Sequence, residues 1–204
     1  MREHPILMKG PLVRATLEGR KTQTRRPIKP QPSNDIVDVE YDCEADLWLG
    51  NTQEDNDLGF CSSWAARCPL GNEVDRLWVR ETWRLEDFVS LGNGKFSAAV
   101  AFQADGNRSQ IRLEGGEEVL NERFGWRPSI HMPRWACRLV LPLVYVRVER
   151  VQDITEEDAK AEGVEPVEGS YREGFRVVWQ LLYGTWDLNP WVWVAEWKDI
   201  EART

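Results

Sequence analysis

The residue types that could carry out chemistry are concentrated in one short segment near the amino terminus. Residues 19–26 read GRKTQTRR and place four cations and two hydroxyls together, in a chain whose formal net charge is −8. Clustered cations repel one another, so such a segment is stable either because water solvates it or because an anion, such as a phosphate or carboxylate, lies among its side chains. The residues alone leave both interpretations open.

Lys21 and Thr24 could form a nucleophile and its activator, because a hydroxyl attacks a carbonyl efficiently only when a base removes its proton. In a regular strand, residues three apart point to opposite faces, so these side chains can converge only if the chain turns or bulges after Gly19. Glu162 is a candidate partner for Lys21, since it is predicted in the last turn of a helix, where the helix dipole disfavours an unpaired carboxylate. A buried pair of this kind suits acid–base work. The alternative is that Glu162 is exposed to water.

A second group of candidates lies in residues 125–135, which read GWRPSIHMPRW. Indoles stack on bases and guanidiniums bind phosphates, so His131, Arg134 and Trp135 are predicted to bind a ligand. The alternative is that the tryptophans fill the core and His131 bonds a backbone carbonyl. Glu81 could accept a hydrogen bond from the amino group of a base or form a salt bridge with an arginine.

The distribution of charge limits the classes of partner. A net charge of −8 argues against a protein that coats nucleic acid non-specifically, because such binding scales with the number of phosphates neutralised. Residues 1–30 nevertheless carry eight Lys or Arg against two Glu, whereas residues 34–57 carry nine Asp or Glu and no Lys or Arg. A local positive site could therefore select one phosphate-bearing ligand. The eleven tryptophans could serve a core or stack on bases.

The cysteines give no sign of a metal or redox site. Cys43, Cys61, Cys68 and Cys137 lack C-x-x-C spacing and are predicted to be free thiols in a reducing compartment. Cys61 and Cys68 could meet His131 around a metal, but no motif spacing supports this, and we expect no metal or cofactor. Without a signal-peptide core or a run of about 18 apolar residues, we expect a cytoplasmic protein with no membrane contact.

Three helices are predicted from their end signals. Pro11 is well placed at the first position of a helix over residues 12–18, which Gly19 would end. Thr155 is the predicted N-cap of a second helix whose first turn is acidic. A third helix is predicted over residues 171–183, where apolar residues recur on one face.

Short apolar runs predict strands at residues 77–83, 96–102, 139–151 and 191–197. The third has the clearest alternation, and Pro142 near its start indicates an edge or a bulge. Several short strands with a few helices between them predict an α+β fold with a small curled sheet.

Two polar segments interrupt this pattern. Residues 34–72 and 104–122 are rich in charge or glycine and lack a clear period, so we expect large loops or partly ordered excursions rather than core structure. The chain is then a single domain, 1–204, with two insertions.

The motifs together resemble a known family. The pattern G-x-K-T-x-T-x-R of residues 19–26, with ITEEDAKAEG at residues 154–163, looks like the signature pair of the ASCH domains. The ending NPWVWV, residues 189–194, is similar to ASCH-type proteins of phages and prophages. The resemblance implies a PUA-like small β-barrel built from a curled mixed sheet with flanking helices, and residues 34–72 and 104–122 fall outside it.

The resemblance also implies a function. The family is associated with RNA or modified nucleotides, and small bacterial members hydrolyse the amide of N4-acetylcytidine with a lysine, a threonine and a glutamate. Matched motif to motif, these roles fall on Lys21 as base or activator, Thr24 as nucleophile, and Glu162 as proton donor or orienting group. The present chain is longer than those compact hydrolases, so its insertions could reshape the pocket.

Three kinds of function therefore stand side by side. The first is an amidohydrolase acting on a modified nucleoside. The second is a non-catalytic RNA- or DNA-binding module, or a ribonuclease, in which Arg20, Arg25 and Arg26 hold the ligand and Arg26 anchors a ligand or a carboxylate. The third is a phage accessory protein that contacts a host protein through a tryptophan-rich surface.

Overall fold

The secondary structure is mostly strand. In a computed structural model that describes residues 1–58, 63–114 and 124–202, twelve strands and four α-helices follow one another along the chain. In order they are β1 (Glu3–Leu7), α1 (Gly10–Leu17), β2 (Gln23–Pro27), β3 (Ile36–Asp42), β4 (Leu47–Thr52), α2 (Gln53–Leu58), β5 (Trp64–Ala66), β6 (Arg76–Arg80), β7 (Trp83–Gly92), β8 (Lys95–Phe102), β9 (Arg108–Glu114), β10 (Leu139–Arg150), α3 (Glu156–Ala161), α4 (Tyr171–Tyr183), β11 (Trp191–Trp197) and β12 (Glu201–Ala202).

The central sheet has the order β1-β6-β10-β11-β2, with β12 also pairing with β10. β1 and β6 are parallel, and the other pairs are antiparallel. Strand β10 pairs with β6 at residues 140–142 and with β11 from Leu143 onward, and a register shift between Leu143 and Tyr145 lies inside the β10–β11 ladder. The irregularity expected near Pro142 is therefore present just after it, at the start of the pairing with β11.

The predicted α+β class is confirmed at the level of a β-rich fold with few helices. The predicted barrel is not confirmed. Within the part of the chain that the structure describes, β1 and β2 end the pairing path of the central sheet and do not pair with each other, so the sheet is open. The helices predicted at α1, α3 and α4 are present. Thr155 and Ser170 cap α3 and α4 by accepting from the N–H groups of Asp158 and Glu173.

The expectation that residues 34–72 contribute no core structure is wrong. Strands β3, β4 and β5 form a second, antiparallel sheet. Its Trp48 packs edge-on against Trp193 of the central sheet, with ring centroids 5.9 Å apart, and Ile36 is 1% exposed. The charged residues occupy the other face of these strands, which is why the segment reads as polar although it contributes to the core.

Residues 104–122 are also partly regular. Strand β9 adds to β7 and β8 in a third antiparallel sheet, with Ile111 buried. Residues 115–122 lie outside the described part of the chain. The strands predicted at 77–83 and 96–102 exist as β6 and β8, but they belong to different sheets and do not pair with each other.

Most tryptophans are core residues. The eight buried ones are Trp48, Trp83, Trp135, Trp179, Trp186, Trp191, Trp193 and Trp197. They divide among three apolar clusters, one between the central and second sheets, one under the third sheet and one beneath α3 and α4. The tryptophan content thus supplies buried area rather than an exposed stacking surface. None of the helices in the described ranges is long and apolar enough to span a bilayer.

Candidate functional site

Lys21 is placed against the end of α3 by a turn. Gly19 adopts φ +71° after α1, and Lys21 forms an isolated antiparallel bridge with Glu162 before β2 begins. The N–H of Thr22 donates to the carbonyl of Ala161 at 2.8 Å. The turn that convergence requires therefore exists, and it brings Lys21 to a residue 141 positions away.

Gly163 makes this close approach possible. It adopts φ +74°, and a Cβ added there would lie 2.7 Å from the Cβ of Lys21 and 2.9 Å from that of Ala15. Any other residue would both strain the backbone and push Lys21 away. The glycine that ends α3 thus also provides the space for the lysine.

The Lys21 ammonium is fully enclosed and fully paired. Its Nζ donates to Glu162 Oε2 at 2.8 Å, to the Glu162 carbonyl at 2.9 Å and to the Gln23 carbonyl at 2.6 Å. These three acceptors match the three donors of an ammonium. Burial lowers the pKa of Lys21 below its ordinary value, and the charge and hydrogen bond of Glu162 act in the opposite direction. Glu162 is 5% exposed, so the alternative of a solvated carboxylate is wrong.

Arg25 extends the same network. Its guanidinium donates to Glu162 Oε1 at 3.2 Å, to Asp158 Oδ2 at 3.0 Å and to Glu149 Oε1 at 2.8 Å, and the side chain is fully buried. Arg147 binds the same two carboxylates, with Nε 2.8 Å from Glu149 Oε2 and Nη2 3.3 Å from the Asp158 Oδ2 that also accepts from Arg25. The anions that stabilise the inner part of the basic segment are therefore the protein's own carboxylates.

Thr24 shares a small cavity with this pair. Thr24, Lys21 and Glu162 line a cavity of about 20 Å³ that is walled by Phe175 and Trp179 of α4. Thr24 is 1% exposed, and within the described residues its hydroxyl has no hydrogen-bond partner. A cavity of this volume holds about one water molecule. The three predicted catalytic residues therefore line one cavity, but its volume does not admit a nucleoside without a movement of α4.

A larger cleft adjoins the cavity. Its volume is about 470 Å³, within the usual range of ligand sites, and four residues line both spaces: Leu12, Arg26, Leu182 and Tyr183. Arg26 donates to the Leu7 carbonyl at 3.0 Å. Leu182 and Tyr183, in the last turn of α4, thus lie between a ligand-sized cleft and the buried Thr24.

Two other predicted binding residues are paired elsewhere. Arg20 is exposed, forms ion pairs with Glu18 and Glu165, and lines a separate open pocket of about 390 Å³. Glu81 is 1% exposed and accepts from two nitrogens of Arg138, each at 2.9 Å. Burial raises the pKa of Glu81, and Arg138 acts against this. The structure places Glu81 in a salt bridge, away from the Thr24 cavity.

The loop at residues 125–135 does not bring its predicted binding residues to the cavity or the cleft. His131 is exposed at the end of a short 3-10 turn. Arg134 forms a two-point ion pair with Glu3, at 2.7 and 2.8 Å. Trp135 packs edge-on against Trp83, with centroids 5.5 Å apart, in the cluster under the third sheet. Trp135 therefore fills the core, as the alternative interpretation of this loop expected.

Sequence reasoning missed the carboxylates that hold Arg25. Asp158 lies four residues before Glu162, a spacing that puts both on one helix face, so this pair was visible in the sequence. Gln23 donates to the backbone carbonyl and the side chain of Asp158, at 2.8 and 2.9 Å. The role of Glu149 had no local signal, because it depends on β11 pairing with both β10 and β2, which brings Glu149 within reach of Arg25.

The described residues contain no group of three or more His, Cys, Asp or Glu side chains placed to hold a metal ion. Cys43 is exposed, whereas Cys68 and Cys137 are buried free thiols, and burial raises the pKa of Cys68 to about 12. Cys61 lies outside the described residues.

No protein-family model, curated protein or solved structure matches this chain. The case for a function therefore depends on the geometry of the site and on the motif resemblance.

Proposed function

We propose that this protein is a hydrolase that cleaves the amide of an N-acylated cytidine, with Thr24 as the nucleophile and Lys21 and Glu162 as the acid–base pair. The observation that supports the proposal is that these three residues, from two distant segments, line one buried cavity, in which Lys21 and Glu162 are hydrogen-bonded to each other. In the same proposal, the open mixed central sheet is a variant of the PUA-like fold, opened between β1 and β2.

The chemistry needs no group beyond these three side chains and water. Transfer of a proton from Lys21 to Glu162 along their 2.8 Å hydrogen bond gives a neutral amine and a carboxylic acid. The amine accepts the Thr24 proton as Oγ attacks the acyl carbonyl, and the carboxylic acid protonates the departing cytosine nitrogen. Water then hydrolyses the acyl-threonine ester and releases the acid. The lowered pKa of Lys21 favours the neutral amine in the first step.

The substrate would reach Thr24 from the 470 Å³ cleft. Because the cavity itself holds about one water, the last turn of α4, with Leu182 and Tyr183, must move outward when the base enters. Leu182 is 37% exposed, so its displacement breaks few packing contacts. The same movement would admit the water needed for the second step.

The test is release of acetate from N4-acetylcytidine by the purified protein. We expect T24A to abolish turnover, T24S to retain part of it, and K21A and E162A each to abolish it. T24A is decisive because the hydroxyl has no hydrogen-bond partner among the described residues, so its removal should leave the fold intact. S109A, which removes a hydroxyl from β9, is the matched control and should retain full turnover. Turnover that survives T24A would exclude this mechanism.

A non-catalytic RNA- or DNA-binding module is the second candidate, and one observation favours it. All three donors of Lys21 are already paired, as expected of a structural ion pair that needs no substrate. The acetate assay separates the candidates: a protein that binds RNA in a salt-sensitive manner and releases no acetate is a binding module.

A further inference from the structure

Another cleft, of about 550 Å³, shares Tyr183 with the Thr24 cavity and with the 470 Å³ cleft. Two cations line it, Lys29 and Arg150, together with the polar side chains of Asn34 and Thr185. No Asp or Glu from the described part of the chain is among its lining residues. The net charge of the chain is −8. In such a chain, a ligand-sized cleft whose described charged residues are all cations indicates an anionic ligand.

Arg150 lies in this cleft with no anionic partner from the residues that the structure describes. Its guanidinium carbon lies 4.2 Å from the centroid of the Trp191 ring, and Nη1 donates to the Asn189 carbonyl at 3.1 Å. Within the described residues no carboxylate lies within 4.0 Å of it, and the exposed Asp153 acts on it only at longer range. A half-buried, unpaired guanidinium costs free energy that a bound anion would offset.

The segment that carries Lys29 is held in place. The side chain of Gln31 donates to the Trp191 carbonyl at 2.9 Å and to the Ile28 carbonyl at 2.8 Å, and it accepts from the Trp191 N–H at 2.8 Å. These bonds fix residues 28–31 to the start of β11, beside the indole on which Arg150 rests. Because the backbone that carries Lys29 is already ordered, binding an anion there costs less entropy than it would on a mobile segment.

The 470 Å³ cleft, which also borders the Thr24 cavity, is likewise lined by cations. Lys9 and Arg26 line the 470 Å³ cleft, again with no Asp or Glu among its described lining residues. By contrast, the 390 Å³ pocket at Arg20 is bordered by Glu157 and Glu165. Positive charge without acidic neighbours is therefore found in both clefts that meet at Tyr183.

We propose that Lys29 and Arg150 form a binding site for a phosphate group, so that the ligand of the Thr24 site is a nucleotide rather than a free nucleoside. The guanidinium of Arg150 matches phosphate oxygens in a two-point geometry, and Lys29 adds a point charge. The phosphate comes either from a mononucleotide or from a phosphodiester strand. The identity of the base rests on the proposed function, but the phosphate site rests on this cleft alone.

The experiment is titration calorimetry of the full chain with cytidine, its 5′- and 3′-monophosphates and pentacytidylate. We expect a phosphorylated ligand to bind at least about tenfold more tightly than cytidine, the value of one charge-assisted hydrogen bond. R150Q and K29Q should each remove most of this difference, and R150K should restore part of it. R112Q, which removes an exposed arginine from β9, is the matched control and should bind as the wild type does.

The ligand series distinguishes the source of the phosphate. Pentacytidylate that binds more tightly than both monophosphates indicates a strand, and a monophosphate that binds as tightly as pentacytidylate indicates a nucleotide. Equal binding of all four ligands, or R150Q and K29Q variants that bind like the wild type, would overturn the proposal. K29Q keeps the test valid if R150Q folds poorly, because Lys29 is exposed.

The calorimetry does not depend on turnover, so the two proposals can fail separately. Phosphate-dependent binding without acetate release from either N4-acetylcytidine or its monophosphates would leave the phosphate site in place and remove the hydrolase. Acetate release with no preference for phosphorylated ligands would do the reverse.

Discussion

At the scale of single residues, the basic segment is balanced from within the protein. Lys21 is paired with Glu162, and Arg25 with Glu149, Asp158 and Glu162. All of these charges are largely removed from water, so each depends on its partners for solvation. Such a network is stable when complete and costly when one member is lost.

Replacement of Lys21 by methionine tests this dependence. In K21M the Glu162 carboxylate stays buried and loses one of its two cationic partners, so we expect the free energy of unfolding to fall by about 3–5 kcal/mol. The double variant K21M/E162Q removes both charges of the pair, so no carboxylate at residue 162 is left without its lysine. Its free energy of unfolding should fall by less than the sum of the losses in the two single variants. Urea denaturation measures both. A loss below about 1 kcal/mol in K21M would show that the pair contributes little.

At the scale of elements, the site depends on three short segments that meet at their ends. The turn after α1 delivers Lys21, the residue that follows α3 is Glu162, and α4 walls the cavity that Thr24 also lines. The second sheet lies away from this point, but its Trp48 packs against Trp193 of β11, the strand that holds β2 in register. The segment expected to be an insertion therefore supports β11, and β11 in turn pairs with β2, the strand that carries Thr24.

Truncation of Trp48 measures that support. Trp48 is 7% exposed, so W48A should lower the free energy of unfolding by about 3–5 kcal/mol through lost burial and the cavity that remains. Trp126 is 44% exposed and stacks on Arg84 at 4.7 Å, so W126A, the matched control, should cost about 1 kcal/mol or less. Equal effects of the two substitutions, by thermal or urea denaturation, would mean that the second sheet does not contribute to the core.

At the scale of the whole molecule, several carboxylates are held ionised by the fold. Burial acts to raise the pKa of Asp158, but the hydrogen bond from Gln23 and the charges of Arg25 and Arg147 outweigh it, so the pKa lies below its ordinary value. Asp105 follows the same balance, with Arg138 as its principal cationic partner. The free energy of unfolding in acid therefore depends on these carboxylates together with the arginines that pair with them.

A group whose pKa is lower in the folded state stabilises the fold fully above its unfolded pKa and loses this contribution as the pH falls through the folded pKa. We therefore expect the free energy of unfolding to decline as the pH falls below about 3.9, the ordinary pKa of an aspartate. D158N should be less stable than the wild type at neutral pH and should show a shallower decline in acid. The exposed D199N variant is the control. A decline of unchanged steepness in D158N would contradict a role for Asp158.

The sequence by itself determined the local structure and one part of the site. Capping residues and apolar faces identified α3 and α4, alternation identified β10 and β11, and the end of α3 placed Glu162 where a cation was needed. Each of these features is encoded by neighbours within a few residues. The polar residues of 34–72 were misleading because one face of that sheet is solvated, and alternation over such short strands is weak.

Only the tertiary structure decided which anions lie within the basic segment and how much space surrounds Thr24. Arg25 meets Glu149 and Glu162 across separations of 124 and 137 residues, and α4 closes the cavity from yet another part of the chain. Such contacts follow from sheet register and helix packing, for which no local pattern exists. The order of charges along the chain indicated a positive site, and the fold neutralised its inner part while leaving Lys29 and Arg150, beside Tyr183, with no carboxylate partner in the described part of the chain.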